Sequence, residues 1–179
     1  PAFMYTRSAS SSTVSPILQG WLGHSRPFAF EPTYEPASGI ARFQVGTPPI
    51  VAMAVLEHAL ALWEHVDMGD LDARRIALTE RFMAGITTLD HPLSVVTPSD
   101  AAARGSHVSI THPHAYAVVQ ALKAEGVIGD FRMPNIMRFG FAPLYNTVEE
   151  VDTALARLER VLRDATWDAP KYHRRNKVT

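Results

Sequence analysis

From Asp90 onward the sequence changes over between the two periods that regular structure allows, and this constrains the fold more than any other feature. Leu93 to Thr97 and His107 to Thr111 read as strands, and Ile136 to Phe141 alternates as a third. Between them, Pro113 to Ala124 carries a helical repeat that stops at Gly126. Asn146-Thr147-Val148-Glu149-Glu150 supplies a cap and an acidic first turn suited to the positive end of a helix dipole. That helix continues through Val151, Leu155, Leu158, Val161 and Leu162. Together these segments predict a small α+β unit over roughly residues 90–165.

The preceding half is organised differently. Pro1 to Arg7 is a short apolar run that reads as a strand in need of partners, and with no initiator Met it suggests the back part of a larger protein. A Ser/Thr-rich stretch, Ser8 to Ser15, leads to an aromatic region from Gly20 to Gly39 with no period. That region is too rich in Trp, Phe and Tyr for a linker and predicts an ordered functional loop. Thr47-Pro48-Pro49 reads as a helix start, with Thr47 able to cap. The helix from Pro49 to Val66 is apolar nearly all round, which predicts burial on most sides. A second helix opens near Asp70 and runs to Ile86, with Leu71, Ile76, Leu78, Phe82 and Met83 apolar and Arg74, Arg75, Glu80 and Arg81 wet. The expected organisation is residues 1–68 as one unit, 69–89 as a connecting helix and 90–179 as a C-terminal α+β unit with a basic tail.

Composition narrows the function classes. The 17 basic and 18 acidic residues are interspersed and give a net charge of −1, so no field favours nucleic acid or an anionic membrane. Only Lys171 to Lys177 is locally basic, and it reads as a solvated terminus. The absence of cysteine excludes disulfides, thiolate zinc sites and thiol nucleophiles. The longest apolar run, Ile50 to Leu56, is too short to span a bilayer, and a soluble intracellular protein is expected.

Three residues have the chemistry to grip an anion. Trp21, between Gly20 and Gly23, offers an indole N–H and a stacking face, or simply packs a loop. Thr47 precedes a helix, where free N–H groups favour phosphate; the alternative is a plain cap. Arg138 interrupts an apolar strand, and its planar fork matches a carboxylate unless the strand is an edge with Arg138 in water. His24 is placed for ligand contact beside Trp21 and Gly23, with a hydrogen-bonded structural role as the default. No metal site is expected: His58 and His65 are too far apart along a helix for one ion, and His112 and His114 lack a carboxylate motif. The sequence contains no nucleophile elbow, P-loop or dinucleotide fingerprint, and none of Lys123, Lys171 and Lys177 reads as a desolvated amine.

Taken in order, Gly20-Trp21-Leu22-Gly23-His24 with Pro27 to Phe30, Phe43 to Ile50, Ile76 to Thr79, Tyr116 to Val118, Gly126 to Arg132 and Arg138 to Tyr145 resemble the C-terminal portion of the bacterial kynureninases. The resemblance covers nearly the whole chain. It implies a pyridoxal-phosphate (PLP) enzyme of fold type I, class-V-aminotransferase-like, represented by the end of the large domain and the small C-terminal domain. The implied reaction is hydrolysis of the Cβ–Cγ bond of L-kynurenine or 3-hydroxykynurenine, giving anthranilate or its 3-hydroxy form and L-alanine, in tryptophan catabolism and NAD biosynthesis. Trp21 and Thr47 would contact the cofactor phosphate, Arg138 the substrate α-carboxylate, and His24 more weakly the substrate. A cytoplasmic homodimer with the active site between subunits is implied, so that Trp21 and Thr47 could serve the partner's cofactor. The family's cofactor lysine, its neighbouring tyrosine, the pyridinium-pairing aspartate and the ring-stacking aromatic precede Pro1, so this chain alone is expected to be inactive. The family often has Gln where His107 stands. A cysteine-desulfurase-type enzyme and a non-catalytic domain retaining the fold are the alternatives.

Overall fold

The computed structural model describes residues 3–174 except Ser12, and the chain divides into two compact units, Pro1–His65 and Val66–Thr179.

The second unit is a four-stranded antiparallel sheet with helices on one face. Asp67 accepts the backbone N–H of Asp70 at 2.9 Å and starts α3, Met68–Thr88. The strands β1 (Ser94–Val95), β2 (His107–Thr111), β3 (Asp130–Arg132) and β4 (Ile136–Gly140) lie in the order β1-β2-β4-β3. Alternation decides which face each residue occupies. Val108, Ile110, Met137 and Phe139 are buried, whereas Ser109 and Arg138, paired across β2 and β4, belong to the opposite face. Over the buried face pack α3, α4 (Ala115–Ala124) and α5 (Val148–Arg163), contributing Phe82, Ile86, Val118, Leu122, Leu158 and Val161 to one core.

Local chemistry fixes the helix ends. Thr147 and Glu150 form a reciprocal capping box, with the Glu150 N–H donating to Thr147 Oγ1 at 3.3 Å and the Thr147 N–H to Glu150 Oε2 at 3.0 Å. Gly126 closes α4 at φ +79°, a conformation costly for any residue with a Cβ. The Thr147 cap, the β2 limits and the end of α4 agree with the sequence reading; the three-residue strand β3 was not anticipated.

Two expectations for this unit are corrected. Arg75 is not on a wet face: its side chain is 14% exposed and donates to the carbonyls of Ala101, Arg104 and Gly105. The tail is not simply solvated, because Pro170–His173 forms the short helix α6, Tyr172 packs on the core and the Tyr116 hydroxyl donates to the Arg174 carbonyl at 2.9 Å. Arg175, Asn176 and Lys177 lie outside the described residues.

The first unit is largely irregular. Phe3–Arg7 forms no strand, and Pro1 and Ala2 lie outside the described residues. After the single-turn α1 (Ser8–Ser11) come 3₁₀ turns at Trp21–Gly23 and Gly39–Phe43, then α2 (Ile50–Ala61) and a further 3₁₀ turn at Leu62–His65. Thr47 does not cap α2; the N-cap residue is Pro49. The consecutive prolines explain this, since a residue before proline is excluded from helical geometry, and both Thr47 and Pro48 precede one. The predicted burial of α2 is also overturned within this chain: Ile50, Val51, Val55 and Leu60 are 68, 81, 66 and 54% exposed. Its apolar residues point to all sides, so no single neighbour of its own unit could cover them. No helix among the described residues is long and apolar enough to cross a membrane.

One buried side chain sets a pH response. His112 accepts the backbone N–H of His114 on Nδ1 at 3.1 Å and meets Trp167 edge-on. Burial above all, then the nearby His114 and His91, push its pKa down to about 4 from 6.5. The unfolded chain therefore takes up a proton at higher pH than the folded one. The stability present above pH 6.5 falls progressively as pH drops from about 6.5 to about 4, by up to ~3 kcal/mol. Thermal unfolding followed across that window should show a falling midpoint, and a clearly shallower fall for His112→Gln.

Candidate functional site

In the first unit, Trp21 and His24 belong to one loop and line one hollow with Arg26, Phe30 and Tyr34. The Trp21 ring stands edge-on to Phe28 at 5.5 Å and remains 48% exposed, so the indole is held yet available. His24 is braced: Nδ1 accepts the Arg26 N–H at 2.8 Å, which leaves Nε2 to donate to the Thr33 carbonyl at 3.2 Å. An isolated bridge to Pro36 and an edge contact with Tyr34 complete its setting. Both ring nitrogens are thus committed inside the loop. The Tyr34 hydroxyl beside it is buried and has no partner among the described residues, a hydrogen-bonding capacity left unspent.

Backbone contact joins this loop to the segment leading to Thr47. A Cβ on Gly20 would lie 1.8 Å from the Val45 carbonyl oxygen, and one on Gly23 would lie 2.5 Å from that of Arg42. Both contacts need glycine. They draw the Trp21 turn onto the irregular stretch that leads to Thr47, which is exposed.

Arg138 lies in the second unit on β4, which is not an edge strand, since β2 and β3 flank it. It occupies the sheet face away from the helices, with its side chain 35% exposed. Asp130, directly opposite on β3, takes it in a two-point bond, Nε to Oδ1 at 2.7 Å and Nη2 to Oδ2 at 2.6 Å. Arg132 Nη2 also donates to Asp130 Oδ2 at 3.2 Å. The hydrogen bond and charge of Arg138, helped by Arg132, hold the Asp130 carboxyl below its usual range against the opposing effect of burial. Asp130 is the partner the sequence reading missed; its signal was the acidic residue in Gly129-Asp130-Phe131-Arg132 just before the next strand. A shallow hollow lined by His107, Ile128, Gly129, Asp130, Arg138 and Gly140 opens at the guanidinium.

Among the described residues no group of three potential ligands is arranged to hold a metal ion.

Residues 71–158 match the family model described as the kynureninase C-terminal domain. The chain is 46% identical to the kynureninase of Pseudomonas fluorescens over 180 residues, covering 99% of this chain and 43% of that protein. It is 42% identical to the kynureninase of Burkholderia mallei over 181 residues, covering 100% of this chain and 44% of the relative. From end to end the chain matches kynureninases, and its residues 71–158 match their C-terminal domain. It spans less than half the length of these relatives. Among solved structures, a C-DES lysine-to-alanine mutant with glycine covalently linked to its PLP cofactor matches at 26% identity and a TM-score of 0.65, over 80% of this chain and 37% of that one. A cysteine desulfurase from Thermococcus onnurineus shares the fold at 21% identity and a TM-score of 0.74, over 89% of this chain and 42% of that one. The mixed helix and sheet architecture of the kynureninase-like chain is therefore that of the C-terminal region of class-V-aminotransferase-like PLP enzymes.

Gly20→Ala should displace the Trp21 turn, because the clash is with backbone and cannot be relieved by a rotamer. The expected outcome is a red-shifted tryptophan emission with a cost of about 2 kcal/mol or more in denaturant unfolding. A variant identical to the parent in both measurements would show that the Gly20–Val45 contact does not hold the loop.

Proposed function

We propose that the protein to which residues 1–179 belong is a kynureninase, a PLP-dependent hydrolase that cleaves L-kynurenine or its 3-hydroxy form to anthranilate or 3-hydroxyanthranilate and L-alanine. The observation that carries this reading is the Arg138 guanidinium, fixed on the open face of an interior strand at a hollow, in a chain matched throughout by kynureninases. An exposed arginine fork with its orientation set is suited to a substrate carboxylate.

The donors of the first unit suit the cofactor phosphate. The Trp21 indole N–H and the Thr47 hydroxyl are neutral donors, and the tight contact of Gly20 with Val45 keeps their segments together. In this reading they bind the phosphate, Arg138 binds the α-carboxylate, and His24 contributes only a weak substrate contact, both its ring nitrogens being engaged within the loop. The cofactor, when bound, supplies the electron sink for the bond cleavage. The first unit's donors then orient the phosphate, and Arg138 of the second unit orients the carboxylate.

The same reading divides the chain into the end of the large domain at 1–68, a connecting helix at 69–89 and the small domain at 90–179. It makes the intact protein a homodimer with the active site between subunits. The uncovered apolar helix α2 supports that assembly, since its surface requires protein neighbours. The lack of cysteine suits a reducing cytoplasm. Residues 1–179 alone are inactive in this reading: Lys123 is exposed on α4, and Lys171 is exposed with its ammonium over the Tyr172 ring, so neither is desolvated for carbonyl chemistry.

In the intact protein, Arg138→Ala should lower kcat/KM for L-kynurenine by about 100-fold, mostly through KM, the loss of a charged two-point bond. An unchanged KM would remove Arg138 from the carboxylate site. Thr47→Ala should weaken PLP retention about tenfold, one hydrogen bond to a dianion, measured as a dissociation constant after cofactor removal. An unaltered constant would take Thr47 out of the phosphate site.

A further inference from the structure

We infer that Asp130 is a positioning residue for substrate recognition, fixing the Arg138 guanidinium so that its end-on edge faces the hollow as a ready fork for one carboxylate; this rests on the reading of Arg138 given above.

The geometry distinguishes holding from blocking. A guanidinium has two edges for two-point bonding: the side edge formed by Nε with one Nη, and the end edge formed by both Nη atoms. Asp130 takes the side edge, through Nε at 2.7 Å and Nη2 at 2.6 Å. Nη1 has no partner among the described residues, so the end edge stays open at the hollow where Arg138 and His107 meet. A free arginine would sample many rotamers on this open face, and ordering it on binding would cost side-chain entropy. The two-point bond to a residue of the neighbouring strand meets that cost in the folded state.

Charge balance points the same way. Arg138 and Arg132 both donate to Asp130, and two cations around one carboxylate leave a net charge of +1 on this patch. A single carboxylate ligand then completes neutrality, whereas two bare arginines would favour a dianion. Backbone packing protects the arrangement. A Cβ on Gly129 would lie 2.8 Å from the Phe139 ring and 3.0 Å from the Arg138 carbonyl oxygen, so glycine there lets β3 close on β4 and brings Asp130 within reach.

The test is steady-state kinetics on the intact, cofactor-loaded protein with L-kynurenine. Asp130→Ala should raise KM about tenfold with kcat within about twofold, as expected when a group that only orients a binding residue is lost. Asp130→Glu should recover part of the loss, and Asp130→Ala added to Arg138→Ala should raise KM no further. A KM that is unchanged or lower in Asp130→Ala while Arg138→Ala raises it would overturn the positioning role alone, a lower value meaning that Asp130 competes with substrate. The same penalty with and without Arg138 would also overturn it, since Asp130 would then act on something else. If neither Arg138→Ala nor Asp130→Ala moves KM, the carboxylate reading and this inference fall together. Should Asp130→Ala fail to fold, Asp130→Asn keeps the volume and one acceptor oxygen and carries the same readout.

Discussion

The second unit depends on a sheet that buries one face only. Because side chains alternate along a strand, setting Val108, Ile110, Met137 and Phe139 into the core obliges Ser109 and Arg138 to leave by the other side. A slip of one residue between β2 and β4 would bring the guanidinium among Phe82, Leu122 and Leu158 and push the apolar set into water, at many times the energy of any single contact here. The register is therefore enforced by the core, and the candidate site inherits its position from it.

That one-sidedness also explains how a charged residue is tolerated in an interior strand. Arg138 is never required to cross the core; it sits beside two strands whose outward residues are polar, and Asp130 meets it on its own row. Arg104 shows the contrasting solution. Its side chain is 1% exposed, and it survives burial by donating to Glu80, Thr79 and the carbonyls of Pro98 and Ser99. One arginine is used up in structure while the other keeps one edge unengaged among the described residues.

Where local chemistry decides, the sequence was readable. The capping box at Thr147 and Glu150, the limits of β2 and the glycine stop after α4 each follow from a few adjacent residues. Legibility failed where the answer lay elsewhere in the chain or outside it. Helix α2 has the composition of a buried element, but its burial depends on neighbours its own unit does not supply. Thr47 has a capping side chain, yet the two prolines after it defer the helix to Ile50. Asp130 lacked any repeat to announce a strand, because three residues are too few to show a period. The candidate residues were singled out by their chemistry; what the sequence concealed was which of their atoms are already engaged, as with both nitrogens of His24 and the side edge of Arg138.

The pairing of β3 with β4 has one more consequence. Asp130 and Arg138 lie eight positions apart in the chain and face each other across a single tight connection. Their meeting requires little loop closure, so this patch can assemble as soon as its hairpin does, ahead of the long-range contacts among α3, α4 and α5. The rest of the unit then serves as a mount: it sets the direction in which a locally self-contained fork points, and changes in the distant helices would re-aim that fork before they dismantled it.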